Sequence, residues 1–427
     1  ETVSEGISEG LLNLLTQVQE LRVVSRSSAF SFKGKDYDIP TVAEQLNVAY
    51  VLEGSVRKTG NRVRITVQLI DTASDTHLWS DNYDRTLDDI FAIQDEIAGA
   101  VVDALKLTLL GGKPQAEKVS PDAYALYLQA RYLNAQGAAQ ALEDSIELYR
   151  QALAIAPDYA RAWRGLAVVY MNQANKGLRP KNESYNLARE AIRKALAIDP
   201  EYAMAHATNG VLLMTHKGDM AEAAPHFEYA LSLDPTNLVL LSYSSSLLLR
   251  LGRLEETIAI REYDVEHDPL DPIGHNNLAF AYLKARQPDK AAAAIQTLLM
   301  LAPNYNGAMY KNGMALLLKG ESEAALQAIQ QERSEIWRLI GLTMVYQSLG
   351  QPGDSDASLN ELIEKHAEDW PYHIAMLFAY RGDADRAFQW LDKAAQLNAT
   401  SLTYIAVEHW FSNIHGDSRW QPFLESI

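Results

Sequence analysis

The sequence predicts an α+β N-terminal domain, built of an antiparallel or mixed sheet with helices, followed by an all-α superhelix of repeated helix pairs. Three observations predict it. Residues 1–110 alternate between helical and strand periods, and residues 111–122 carry no apolar period at all. Beyond them, prolines recur at a fixed interval inside an otherwise helical pattern. At 427 residues the chain is too long for one ordinary core, so several domains or a repeat array are expected.

In the first part, Ile7, Leu11, Leu12, Leu14 and Leu15 recur at helical spacing behind Ser4, a residue suited to an N-cap. RVVSRSSAF (22–30) then alternates as a strand does. Thr41 is expected to cap a short helix, VAEQLN, in which Val42 and Leu46 stand four apart. Residues 49–72 read as two β-branched strands around Thr59-Gly60-Asn61, a turn suited to a hairpin. HLWSDNYDR supplies a third, short strand, and residues 91–107 close the domain as an amphipathic helix. A sheet covered by helices is the simplest arrangement that buries these faces.

GGKPQAEKVSPD (111–122) reads as a linker. From 123 to 399 the chain repeats. Pro200, Pro235, Pro269 and Pro303 are spaced 35, 34 and 34 residues apart. Trp163, Leu166, Ala167 and Tyr170, then Ala188, Ile192, Ala195 and Pro200, fill matching positions of two paired helices. His275, Leu278, Ala279 and Tyr282, then Ala291, Ile295, Leu298 and Pro303, repeat the pattern. Small residues let helices approach, large ones fill the adjoining holes, and proline stops the second helix. Gly218, Gly252, Gly320, Gly350 and Gly382 fall at the intervening turn. This is the pattern of the tetratricopeptide repeat, with about eight units expected. Two departures stand out: about nine extra residues within 171–186, and a contraction near Trp337, where Gly320 and Gly350 are 30 apart. The tail, 400–427, leaves the repeat and is expected to cap the last unit.

Composition narrows the function. The formal charge is −17 and basic residues do not cluster, the densest group being Arg57, Lys58, Arg62 and Arg64 on the hairpin. Direct nucleic-acid contact is therefore not expected, because phosphate neutralisation needs a basic face. There are no cysteines, which excludes disulfides, thiolate metal sites and thiol nucleophiles. No run approaches the ~20 apolar residues of a membrane helix. The chain opens with Glu1 rather than Met and is read as a fragment or processed product.

EGISEGLLNLL, RVVSRSSAFSFKGK, YVLEGSVRKTGNRVRITVQLID, HLWSDNYDR and IFAIQDEIAGAVVDALK together resemble the TolB N-terminal-like, FlgO-type domain. The resemblance implies a module that precedes tetratricopeptide repeats in bacteria. Such a module lies behind a CadC-like winged-helix domain and one membrane span, or behind a class III adenylate cyclase domain. It also implies an apolar strand ahead of the EGIS helix, which residues 1–110 do not contain.

DTASDTHLWSDNYD (71–84) offers Asp71, Asp75, His77, Asp81 and Asp84 as a candidate site. An EF-hand needs oxygen ligands at loop positions 1, 3 and 5 and a Glu at 12. Counted from Asp71, the third residue is Ala73 and the twelfth is Asn82, so the pattern fails. Asp71, Thr72, Ser74 and Asp75 are turn formers, and Leu78, Trp79 and Tyr83 give a following strand its apolar face. A turn is the expected reading. The sequence contains no GxxxxGK, HExxH or GxGxxG motif. No catalytic residue, metal or cofactor is expected, and an enzyme in this region is not.

Function is expected on the concave groove that stacked helix pairs create. The repeat register places Arg161, Arg164, Ser242, Tyr243, Asn276, Asn277, Tyr310 and Lys311 toward it. Asn bonds both donors and acceptors of an extended peptide, and Arg and Lys suit a carboxylate. The set loosely resembles the carboxylate clamp of peptide-binding tetratricopeptide domains, without reproducing it in one pair of repeats. The expectation is a non-catalytic sensor or protein-interaction region of a bacterial signalling or transcriptional regulator, with a protein or peptide partner. It is placed in the periplasm, attached to a membrane only through a span upstream. The alternative is a cytoplasmic regulatory module of a class III adenylate cyclase or another effector. Homo-oligomerisation is left open, and a hydrolase using the 71–84 carboxylates is the third hypothesis.

Overall fold

The computed structural model describes residues 2–15, 21–35, 37–86, 90–105, 119–216, 218–235, 237–397 and 399–427. The expected linker, 111–122, lies largely outside these residues. The chain divides into two compact units. The first comprises 1–213, 221–241 and 267–270; the second comprises 214–220, 242–266 and 271–427.

The first unit opens with α1 (Thr2–Leu15), α2 (Arg26–Phe30) and α3 (Ile39–Leu46). Strands β1 (Tyr50–Thr59), β2 (Arg62–Asp71) and β3 (Thr76–Thr86) follow, then α4 (Ile90–Ala104). The strands form an antiparallel sheet in the order β1-β2-β3, with Val56 opposite Ile65 and Ile65 opposite Tyr83. Alternation sets its two faces. Val63, Ile65, Val67 and Leu69 point inward and are at most 3% exposed, while Arg64 and Gln68 between them are less buried. The inward face packs in one core with Ile7, Leu11 and Leu14 of α1 and Ile93, Ile97 and Val101 of α4. Each of these aliphatic side chains contributes about 1.5–3 kcal/mol by leaving water. Gly60 closes the hairpin at φ +62°, the conformation that such a turn demands.

Three sequence expectations are corrected here. The first helix begins at Thr2, so Ser4 lies within it rather than capping it. The cap of α3 is Asp38, whose carboxylate accepts the Thr41 N–H at 2.9 Å. RVVSRSSAF is not a strand. Its serines turn the chain into α2, with the Ser25 hydroxyl accepting from Ser28 N at 3.2 Å and the Ser25 carbonyl from Ala29 N at 3.0 Å. The Arg26 guanidinium then lies 4.5 Å over the Phe30 ring, one helical turn on.

The same unit holds helix pairs α5 (Pro121–Gln136) with α6 (Ala139–Ile155), and α7 (Ala160–Asn175) with α8 (Lys181–Ile198). α9 (Ala203–His216) and α10 (Met220–Leu233) follow. Gly165 shows why the small positions matter: an added Cβ would stand 2.5 Å from the buried Tyr149 ring. The extra residues within 171–186 do not form a long loop. They are taken up by a turn through Gly177, at φ +66°, and by α8, whose 18 residues make it longer than the 14-residue α10.

α11 (Leu238–Arg250) spans the division between the units, and α12 (Leu254–His267) follows it. The second unit continues with α13 (Pro272–Lys284) and α14 (Pro288–Leu301), then α15 (Ala308–Leu318) and α16 (Ser322–Gln330). The last pairs are α17 (Glu335–Ser348) with α18 (Pro352–His366), and α19 (Pro371–Tyr380) with α20 (Ala384–Gln396). Gly252, Gly320, Gly350 and Gly382 turn the chain within pairs at φ between +70° and +79°. The contraction near Trp337 has a simple cause: α16 is nine residues long where α14 is 14. No helix among the described residues is long and apolar enough to cross a membrane.

The tail does more than cover α20. Residues Thr400–Val407 and His409–Ile414 form two 3₁₀-helices, and α21 (Trp420–Ser426) ends the chain. α21 packs on the last pair, with Phe423 against Phe388 at 6.3 Å. Leu402, Ile405, Glu408, Phe411 and Ile414 are all buried and stand three residues apart. A buried stripe of period three matches the three residues per turn of a 3₁₀-helix, not the α-helical period.

Candidate ligand cavity in the second unit

The first helices of successive pairs, α13, α15 and α19, and the start of α17 wall one side of a cavity of about 360 Å³. The 3₁₀ tail walls the other. α13 contributes Asn276, Asn277, Phe280 and Lys284; α15 contributes Tyr310, Lys311 and Met314. Trp337 comes from α17, Trp370 stands immediately before α19, and Tyr372 and His373 lie on α19. The tail adds Tyr404, Glu408, His409 and Trp410.

The tail is held by specific contacts. Arg250 Nε donates to Thr403 Oγ1 at 3.0 Å, and its guanidinium sits 4.2 Å from the Tyr404 ring. Lys284 Nζ donates to Glu408 Oε2 in an ion pair whose side chains are only 8% and 5% exposed. Asn413 Nδ2 donates to the Tyr380 carbonyl at 2.7 Å. Beneath, Phe411 packs 5.5 Å from Tyr372.

Aromatic rings dominate the walls. Tyr310 stacks on Trp337 at 4.9 Å, Trp337 meets Trp370 edge-on at 5.0 Å, and Trp370 lies 4.7 Å from His373. His409 sits 4.1 Å from Trp410. Burial first, and the Lys284 charge second, push His373 down to about 3; the same two causes, with Arg286, push His409 down to about 3. Both imidazoles are therefore neutral near pH 7. Burial pulls Lys311 down to about 8, opposed by Glu332 and aided by Lys284. Burial, then the Glu408 charge, raises Tyr372 well above the usual phenol range.

Among the described residues, several buried polar atoms here have no hydrogen-bond partner: Asn276 Oδ1, Tyr372 Oη, Glu408 Oε1, and both ring nitrogens of His409. Lys311 Nζ donates, among the described residues, to one acceptor, the Gly307 carbonyl, at 3.4 Å. Glu332, the acid whose charge acts on it, makes no ion pair with it among those residues. That carboxylate already accepts the Gly307, Tyr310 and Ser334 N–H groups at 2.9–3.1 Å.

Four of the eight residues that the repeat register placed toward a groove, Asn276, Asn277, Tyr310 and Lys311, thus line one cavity. The other four do not. Arg161 and Arg164 lie on α7 in the first unit, where Arg164 Nε donates to Thr208 Oγ1 at 3.0 Å. Ser242 is engaged in packing: its hydroxyl accepts from Arg261 Nη1 at 2.7 Å. Tyr243, half-buried beside it on α11, is not in the cavity wall. Sequence reasoning missed Lys284, Trp370, His373, Glu408, His409 and Trp410. The period-three stripe through Glu408 was the signal that would have found the tail's share.

The 71–84 stretch serves structure. Asp71 Oδ1 accepts from Ala73 N at 2.9 Å and Ser74 N at 3.0 Å, closing the turn between β2 and β3. Asp75 occupies the left-handed region at φ 52°. Asp84 binds Arg62 at 3.1 Å and Arg64 at 2.5 Å across the exposed sheet face.

These features define a repeat protein with an appended α+β domain. Residues 1–99 match the family described as HilA/YgeH-like transcriptional regulator, second domain. Residues 138–173 match the TPR repeat family, and 181–237 and 276–335 the tetratricopeptide repeat family. The chain therefore carries a HilA-like domain followed by tetratricopeptide repeats. Over 199 residues it is 39% identical to "Putative adenylate cyclase 3" of Rhizobium meliloti, covering 44% of this chain and 34% of that protein. It is 37% identical over 98 residues to the Hsp70-Hsp90 organizing protein of Triticum aestivum, covering 23% of this chain and 16% of that one. The chain thus spans about a third or less of the length of these relatives. Human IFIT1, solved as a dimer with m7Gppp-AAAA, aligns with a TM-score of 0.48 at 13% identity, over 72% of this chain and 78% of that one.

Proposed function

We propose that this chain is a non-catalytic regulatory module that holds a protein or peptide partner on the first-helix face of its repeats. The observation that carries the reading is the convergence of Asn276, Asn277, Tyr310 and Lys311, from two successive first helices, on one cavity. Amide side chains suit an extended backbone and a recessed lysine suits a carboxylate. Partner binding would act by population shift, which requires unequal affinity for two states of the effector it controls. The HilA-like match supports a transcriptional or signalling setting, and the TolB-type resemblance is our finer reading of the same residues. We place the module in the periplasm behind a membrane span.

A second reading has its own support. The 39% identity to the Rhizobium meliloti protein favours a cytoplasmic regulatory arm of a nucleotide cyclase. Fusions to a reporter active in only one compartment separate the two placements. To test the groove itself, wild type, Asn277→Ala/Lys311→Met and Gln296→Ala, an exposed position on α14, serve as baits in host extract. A partner retained by wild type and Gln296→Ala, but lost by the double variant at unchanged melting temperature, is the expected result. Equal capture by all three would refute the groove.

A further inference from the structure

The cavity has a charge and hydrogen-bond pattern of its own, beyond what a peptide groove requires. Its lining holds two ammonium groups, Lys284 and Lys311, against one carboxylate, Glu408. Both lining histidines are neutral near pH 7. Glu332, outside the lining, acts on Lys311 through its charge, while its oxygens accept three backbone N–H groups. Within the lining itself, one ammonium, that of Lys311, has no carboxylate to pair with it.

Among the described residues, Asn276 Oδ1, Glu408 Oε1, the Tyr372 hydroxyl and the His409 ring nitrogens are buried without a hydrogen-bond partner, and all four residues belong to the lining. Tyr372 and Glu408 are 3% and 6% exposed. Buried polar atoms in folded proteins are almost always satisfied, so each of these calls for a partner. The walls supply flat apolar surface from Tyr310, Trp337, Trp370 and Trp410. A volume of about 360 Å³ lies within the range of small-molecule sites, roughly 300–1,000 Å³.

We propose that this cavity binds a small monoanionic aromatic acid bearing a hydroxyl or N–H donor. Lys311 takes the carboxylate, the tryptophan walls take the ring, and Asn276 or Glu408 accepts the donor. The tail is half of the site, so occupancy fastens residues 400–414 onto the first helices.

The test is calorimetric titration of the whole chain with para-hydroxyphenylacetate and indoleacetate, each beside its neutral amide, and with tyramine as a cationic probe. Both acids are expected to bind saturably at one site and to change tryptophan fluorescence. The amides should bind at least about tenfold more weakly, and tyramine not at all. Lys311→Met should remove the preference for acid over amide. No saturable binding by either acid, or equal affinity for acid and amide, overturns the proposal. That comparison uses the unaltered chain, so it stands whether or not the variant folds. A preference that persists in a folded Lys311→Met variant overturns the role of Lys311.

Discussion

Lys284 on α13 and Glu408 in the 3₁₀ tail, 124 residues apart, form an ion pair buried on both sides. Glu408 is the one charged member of the stripe Leu402, Ile405, Glu408, Phe411 and Ile414. The pair therefore fixes which residue of the tail meets which helix, while the apolar members provide the burial.

Breaking this pair from one side leaves an uncompensated buried charge. Glu408→Gln is expected to cost about 3–5 kcal/mol, and Lys284→Met a similar amount. Replacing both partners, with Lys284→Met and Glu408→Leu, should recover most of the loss, because two desolvated charges are removed together. Urea unfolding of the four proteins checks this. A double variant as unstable as the singles would contradict it.

Acidification should destabilise the second unit. His373 and His409 are held near 3 in the fold, against about 6.5 when unfolded. Between these values the unfolded chain binds protons that the folded chain does not. Stability is thus fully present above pH 6.5 and falls as pH drops toward 3. His373 is surrounded by Trp337, Trp370 and Tyr372, with Lys284 adding repulsion; His409 meets Glu408, Lys284 and Arg286. Each histidine should account for roughly 1–2 kcal/mol between pH 6.5 and 5. Urea midpoints measured across that interval give the slope, which His409→Phe should reduce.

Gly165→Ala should cost about 1–3 kcal/mol, because the added carbon would stand 2.5 Å from the buried Tyr149 ring. Thermal melting measures it. Gly353→Ala, where nothing stands within 4 Å of the new carbon, is the matched control and should change little.

Divalent cations should leave the melting temperature unchanged, and Asp75→Ala with Asp81→Ala should not alter that. Two carboxylates of the stretch are already committed, Asp71 to backbone N–H groups and Asp84 to two arginines. Calorimetry with calcium, magnesium and zinc checks this, and a cation-dependent rise in melting temperature lost in the double variant would revive the hydrolase hypothesis.

The repeats were legible because close helix approach dictates residue size at fixed positions: Ala279 and Ala291 are fully buried where the register put small residues. Four of the nineteen lining residues, half of the eight placed toward a groove, were legible for the same reason, since residues beside the core positions of α13 and α15 share one face. Ser242 misled because adjacency to the core cannot say whether a hydroxyl faces outward or toward a buried arginine on the next helix. The tail's role was hidden by its period. Spacings of 3.6 and two are the usual signals, and a run at three, from Leu402 to Ile414, reads as irregular. The segment 22–30 failed differently: a short alternation is weak information beside serine turn chemistry.

The most direct test of the central claim places a photo-reactive amino acid at Tyr310, and separately at Gln296, in cells that make this protein. The account predicts a crosslink to another protein from the Tyr310 position that is lost when Lys311 is changed to Met, and none from Gln296. A crosslink pattern identical at the two positions, or one from Tyr310 indifferent to Lys311, would contradict it.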